Sequence, residues 1–340
     1  MMFKLYLLII FLVFTKISFA GQKIDTVYFQ NGDKITCEFK YLENNLLHIS
    51  TKNAGSLNIE WDMVDSLYIK ELLLILLDDG ENVIGKILPS KTKNSLIIDA
   101  GLTSIKINQL SIVKMYPYRE RFFKRFSGDL GTSFSYTKVN KHRAFEFNGK
   151  LKYTTRKYVM SSSYDANITN QESTEQSQRH QALLDYNYIL KNKFFYNATV
   201  LVEKNTELAL DLRTNTGVGL GNFFIFNNYS QAYGTVGIQG NREFSEDSVA
   251  TNIEGVFLLS YTIFKYSYPK IDLTMSSVLY PNLIDFERIR TTINSKLRWE
   301  VHSNLYLKYT LYHTFDNKPL TEGAEKSDWS VSVGIEYSFN

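Results

Sequence analysis

The chain has 340 residues, 44% of them hydrophobic and 21% charged, which is enough apolar material to bury a core and excludes a disordered polyelectrolyte. Its formal charge of +3 falls to +1 when Lys4 and Lys16 of the first twenty residues are set aside (36 basic against 35 acidic), a balance that gives no argument for a nucleic-acid partner. A single cysteine, Cys37, excludes an intramolecular disulfide framework.

Residues 1–20 combine Lys4, an apolar run from Leu5 to Phe14 and the small-x-small ending Ser18-Phe19-Ala20. This pattern predicts a signal peptide cleaved after Ala20. Beyond it no apolar run reaches the length of a membrane helix; the nearest, Leu72 to Leu77, stops at Asp78-Asp79-Gly80. A membrane location therefore requires a closed barrel, in which the strands satisfy one another's backbone groups.

Residues 21–118 contain an internal repeat at an offset of 48. Asn31-Gly32-Asp33-Lys34-Ile35 recurs as Asp79-Gly80-Glu81-Asn82-Val83, and Leu57-Asn58-Ile59 recurs as Ile105-Lys106-Ile107. Val64 with Leu67-Tyr68 returns as Ile112 with Met115-Tyr116. The Asn-Gly and Asp-Gly steps favour tight hairpins, so the segment is expected to be a small β module of two SH3-like or Sm-like repeats. Such folds include peptide and nucleic-acid binders, but a plain docking or packing module is the reading preferred here, with any partner left open. Residues 119–127 follow as a linker that includes most of Tyr118-Arg-Glu-Arg-Phe-Phe-Lys-Arg-Phe126, whose aromatics and charges suit a junction between an apolar and an aqueous phase.

From residue 128 to 340 the sequence alternates with period two in twelve segments: 128–137, 143–153, 157–168, 178–189, 193–203, 211–224, 229–240, 250–264, 270–280, 287–299, 303–315 and 328–339. One parity is apolar, as in Phe194, Tyr196, Ala198, Val200 and Val202, or Ile253, Phe257, Leu259, Tyr261 and Ile263. Links near 154–156, 190–192, 225–228, 265–269 and 300–302 are short; those near 169–177, 204–210, 241–249, 281–286 and 316–327 are longer and polar. The alternation is that of membrane barrels, with tight periplasmic turns and longer external loops. The expected fold is all-β: an antiparallel transmembrane barrel of about 12 strands preceded by the periplasmic module. The last strand, Trp329 to Phe339, is expected to pair with the first near Gly128 to Tyr136, because closure removes exposed edges.

Three stretches, Lys193-Phe-Phe-Tyr196, Thr216-Gly-Val-Gly-Leu-Gly-Asn-Phe223 and Tyr337-Ser-Phe339, resemble the salt-induced outer-membrane protein family, whose defining domain has no assigned function. The resemblance covers roughly residues 125–340. Asn31-Gly32-Asp33 and Gly55-Ser-Leu-Asn-Ile59 also look like the region before that domain in many members, and Asn340 departs from the usual terminal aromatic. It implies a β-barrel in the outer membrane of a Gram-negative envelope, in contact with lipid and delivered by insertion machinery that reads the C-terminal strand.

No constellation in the sequence points to catalysis, to a metal or to a cofactor. His302-Ser303-Asn304 has the residue types of a hydrolase site, but adjacent strand residues face opposite ways and the trio falls in a turn. His48, His142, His180 and His313 are scattered without ligand spacing, and Gly217, Gly219 and Gly221 leave room on one strand face. The candidate lumen-lining residues are Glu146, Lys150, Lys152, Arg213 and Glu254, then Arg290, Lys296, Arg298, Lys308 and Glu336, with Asp165, Asp185, Glu203 and Asp272 on the same parity. They form either the wall of a narrow polar pore or a plugged lumen whose acids and bases pair. A non-enzymatic envelope protein, structural or passively conducting small solutes, is the expected function. The alternatives are a lipid-modifying hydrolase and a surface-binding protein acting through loops such as 169–177.

Overall fold

A computed structural model describes residues 25–339 apart from 91, 93, 102, 119–124, 139–141, 172–176, 207–209, 246–247 and 320–325. The expected signal peptide and most of the expected linker lie outside the described residues.

The first repeat contributes β1 (Asp25–Phe29), β2 (Lys34–Glu43), β3 (Leu46–Thr51), β4 (Gly55–Glu60) and β5 (Val64–Tyr68). The second contributes β6 (Leu73–Leu77), β7 (Asn82–Pro89), β8 (Ser95–Asp99), β9 (Ser104–Asn108) and β10 (Ile112–Pro117). Their first turns are built alike. Gly32 and Gly80 each stand at φ +89°, a conformation glycine adopts without a Cβ penalty. The backbone N–H groups of Phe29 and Leu77 donate to Asp33 O and Glu81 O, both at 2.9 Å. Asn31 Oδ1 and Asp79 Oδ1 then accept from the residue two further on, at 3.0 and 2.8 Å.

The repeats interlock. β10 of the second copy pairs with β2 of the first at Met115 and Leu42, and one sheet runs β4-β3-β2-β10-β6-β7-β8-β9, with β1 joining β2 and β5. At the centre Trp61 and Gln109, themselves 48 residues apart, bond across the pseudo-symmetric join. Trp61 Nε1 donates to Gln109 O at 3.1 Å, and Gln109 Nε2 donates to Trp61 O at 2.7 Å and Val64 O at 2.8 Å. All of these groups are buried, so each bond also removes a desolvation penalty.

Twelve longer strands follow in a single antiparallel sheet ordered as in the sequence. They are β11 (Phe126–Thr137), β12 (His142–Thr154), β13 (Tyr158–Asn170), β14 (Ser177–Ile189), β15 (Phe194–Asn205) and β16 (Leu210–Phe226). After them come β17 (Ser230–Ser245), β18 (Ser248–Lys265), β19 (Ile271–Pro281), β20 (Ile289–His302), β21 (Leu305–Asp316) and β22 (Ser327–Tyr337). The sheet curls around a cavity. Its outer face exposes the apolar parity, including Tyr196, Val236, Ile238, Leu259 and Val333.

Two local expectations change. The long link expected at 241–249 is mostly strand, since Ser245 pairs with Ser248 and only two residues separate β17 from β18. The polar residues there, Asn241 and Glu243, keep the inward parity and are buried inside the curled sheet, so polarity does not end the strand. The expected pairing of the last strand with the first is also not present among the described residues: β11 and β22 stand at opposite ends of the strand order. Exposed edge N–H and C=O groups are satisfied by water, so nothing in an aqueous surrounding forces them together.

Gln109→Leu takes the amide donor from the buried Val64 carbonyl, while the Trp61 carbonyl keeps the Val64 backbone N–H, and is expected to cost about 1–3 kcal/mol. Denaturant unfolding of the full chain, followed through Trp61 emission in a Trp299→Phe/Trp329→Phe background, measures the loss.

Candidate functional site

Because strands alternate, the face of the large sheet that is not apolar turns inward, and β14 to β22 wrap most of a cavity of about 1550 Å³. The floor does not come from the sheet. Leu76, Gly80, Asn82, Lys114 and Tyr116 of the N-terminal module line the cavity at the end where β14 meets β15 and β16 meets β17.

At the far end the inward charges pair. Arg213 reaches Glu203 at 2.7 Å and lies 3.4 Å from Glu243, which lies 3.8 Å from Arg288. Arg288 holds Asp316 through two contacts, Nε to Oδ1 at 3.2 Å and Nη2 to Oδ2 at 2.6 Å. Arg290 forks onto the fully buried Glu254 at 2.8 and 2.6 Å, and Gln239 Nε2 donates to the same carboxylate at 2.8 Å. The guanidinium groups place opposite charge beside the buried carboxylates of Glu254 and Glu243.

Beside the network the register stacks Asn215 against Asn241 and Asn241 against Asn252. Asn282 Nδ2 extends this row by donating to Asn252 Oδ1 at 2.8 Å. Asn215 Oδ1, both amide atoms of Asn241 and Asn252 Nδ2 are buried without a hydrogen-bond partner among the described residues. Arg213 Nε and Glu243 Oε1 of the network share this state, whereas Arg288 with Asp316 and Arg290 with Glu254 are each joined through two hydrogen bonds.

The middle of the cavity carries Leu183, Leu201, Val256, Leu258 and Val278 on the inward parity. Toward the floor, Phe195, Phe223 and Tyr233 pack together with ring centroids 5.1–5.9 Å apart. Space opened by Gly221 is already taken, because a Cβ there would lie 2.2 Å from the Phe195 ring.

The ten candidate lumen residues divide into four groups. Arg213, Glu254 and Arg290 join the far-end network, and Lys152 stands at the floor. Arg298 and Lys308 share Glu336 in a separate, partly exposed cluster on β20 to β22, with Arg298 stacked over Tyr306. Glu146 accepts from Ser133 Oγ at 3.1 Å, while Lys150 and Lys296 do not line the cavity. Sequence reasoning missed Glu243 and Asp316, assigned to loops, and Arg288; all three carry the parity of their inward neighbours, which was the available signal. It also missed the apolar band, since attention to charge passes over Leu and Val on a polar face.

His302 ends β20 and Ser303 opens the exposed turn to β21, where His302 Nδ1 accepts from the Ser303 backbone N–H at 2.8 Å. His180 bonds Tyr164 at 3.0 Å, His313 bonds Ser327 at 3.1 Å, and His48 stacks on Tyr41. Among the described residues no three His, Cys, Asp or Glu side chains group as metal ligands.

Residues 132–339 match a family described as "Protein of unknown function, DUF481". The chain belongs to the DUF481 family. The match begins inside β11 and ends just past β22, so the DUF481 region is the large sheet with its cavity, and it leaves the repeat module outside. It is the family that Lys193 to Tyr196, Thr216 to Phe223 and Tyr337 to Phe339 resemble. Comparison with curated proteins gave no match.

Module and DUF481 sheet meet at Glu43. Its carboxylate receives Lys114 at 2.9 Å within the module and faces Lys152 of β12 at 3.9 Å, while the Lys152 ammonium lies over the Tyr116 ring. Burial pushes the Glu43 carboxyl up, but Lys114, Lys152 and the Tyr116 hydroxyl outweigh it and hold the group at about 2, below the ordinary 4.5. Burial, reinforced by the Glu43 charge, raises the Tyr116 hydroxyl.

A depressed carboxyl stabilises the fold above its unfolded pKa and loses that contribution as pH falls through the folded one. The Glu43 contribution is thus complete above about pH 5 and disappears between 4.5 and about 2. Thermal unfolding of the module as a function of pH should lose this part of its acid sensitivity in Glu43→Gln. Glu254→Leu strands Arg290 in a dry wall and is expected to cost about 3–5 kcal/mol, most of it recovered in Glu254→Leu/Arg290→Met; urea unfolding of the full chain compares the two.

Proposed function

We propose that the protein is a non-enzymatic outer-membrane barrel of a Gram-negative envelope whose lumen is closed at rest, and not a permanently open pore. The observation that carries this reading is the floor of the cavity, made by the chain's own N-terminal module. Support for the membrane comes from the exposed apolar parity, the even number of antiparallel strands and the spacing of the links. Links on the module side, 155–157, 190–193, 227–229, 266–270 and 303–304, are short, as periplasmic turns are. The module would then be periplasmic, exported behind the leader at residues 1–20, with lipid around the barrel and insertion machinery engaging β22. Paired charges inside the cavity favour a structural role over charge-selective conduction.

In hydrocarbon an unsatisfied backbone group costs several kcal/mol, so this reading requires β11 and β22 to pair on insertion. The protein reconstituted in lipid vesicles is expected to protect the amides of 126–137 and 327–337 from hydrogen exchange as strongly as those of β15 to β17. It should also pass no steady current in planar bilayers. Rapid exchange at both edges, or a constant open conductance, would contradict the proposal.

A further inference from the structure

The N-terminal module carries its own core. Its buried apolar cluster runs from Val27 through Trp61 to Met115, and among the described residues none of the DUF481 sheet enters it. Contacts between the two parts are of another kind. Asn82 Nδ2 donates to Arg156 O at 3.4 Å, Asn228 Nδ2 donates to Leu110 O, and Glu43 faces Lys152. Gly80 sits against Lys193 so closely that a Cβ would lie 2.9 Å from the Lys193 backbone nitrogen. Arg156, Lys193 and Asn228 occupy three successive short links of the sheet, those after β12, β14 and β16. The module thus touches the rim of the curled sheet at several turns and closes the cavity with Leu76 and Tyr116.

A module that holds its own core, and meets the rim through polar contacts such as these, can leave the sheet without exposing that core to water. Relative motion is the default for an interface of this type. The geometry points to a gate: the N-terminal module is a removable lid on the lumen, seated at the Gly80 turn and held by Glu43 against Lys152. This rests on the lumen being that of a membrane barrel. With the far-end charges paired, the path it opens suits small polar solutes of either charge.

The internal repeat supplies the control. Gly32 and Gly80 occupy equivalent turns with the same φ of +89°, so an added methyl strains both backbones alike. A Cβ on Gly32 meets nothing within 4 Å, whereas one on Gly80 collides with Lys193. The difference between the two alanine variants therefore isolates the seat of the lid from the strain of the turn.

The test uses the full chain in lipid vesicles with Asn197→Cys as a reporter inside the cavity, Cys37 being buried in the module core. A membrane-impermeant maleimide measures access. Gly80→Ala should label about tenfold faster than Gly32→Ala, the effect of weakening the seat by about 1.4 kcal/mol. Lys152→Met, which removes the Glu43 contact and leaves both turns unchanged, should also accelerate labelling. Equal rates in the two glycine variants, with Lys152→Met unchanged from the parent, overturn the gate while leaving the barrel intact. Failure of the parent to enter vesicles, seen as complete protease sensitivity of residues 126–339, overturns the membrane reading and the gate with it.

Discussion

The large sheet depends on one constraint: successive side chains of a strand must point to opposite faces while the backbone of each strand is satisfied by its neighbours. Twelve strands obeying that rule turn a period-two sequence into a two-faced wall. Tyr196, Val236, Leu259 and Val333 end up outside, and Glu203, Arg213, Glu243 and Glu254 end up inside. Everything else about the cavity follows from which groups the curl then brings within reach. Arg288 and Arg290 enter from β20 and its preceding loop to meet acids on β17 and β18 that lie far away in sequence.

The interior is an uneven compromise. Arg288 with Asp316 and Arg290 with Glu254 are matched closely, because an unpaired ion in so dry a place is prohibitive. The neighbouring amides are not matched: Asn241 has neither donor nor acceptor satisfied, and such a group costs on the order of 1–3 kcal/mol. The lid at the other end meets the rim through polar contacts of Asn82, Asn228 and Glu43.

The repeat module shows how duplication and asymmetry work together. Its two halves repeat the Asx-closed glycine turn and the central strands, and Trp61 and Gln109 use equivalent positions to lock the copies together. Of the two glycine turns, that of the second copy is the one packed on the sheet among the described residues. Glu43 with Lys114 and Tyr116 supplies a further contact, where β2 of one repeat lies beside β10 of the other. A symmetric module thus presents an asymmetric face.

Alternation, turn residues and a repeat are local properties, which is why the all-β class, the twelve strands, their facing and the 48-residue period were legible in the amino-acid order. The asparagine and glutamate residues at 241 and 243 misled for the same reason, since a polar residue in a loop and one facing a lumen look alike until the opposing wall is known. Pairing of Glu254 with Arg290, the apolar band from Leu183 to Val278, and the module forming the floor are distances between segments separated by tens to hundreds of residues. Those depend on how far the sheet curls and where the module docks, quantities set by all the contacts at once and written in no single stretch of the chain.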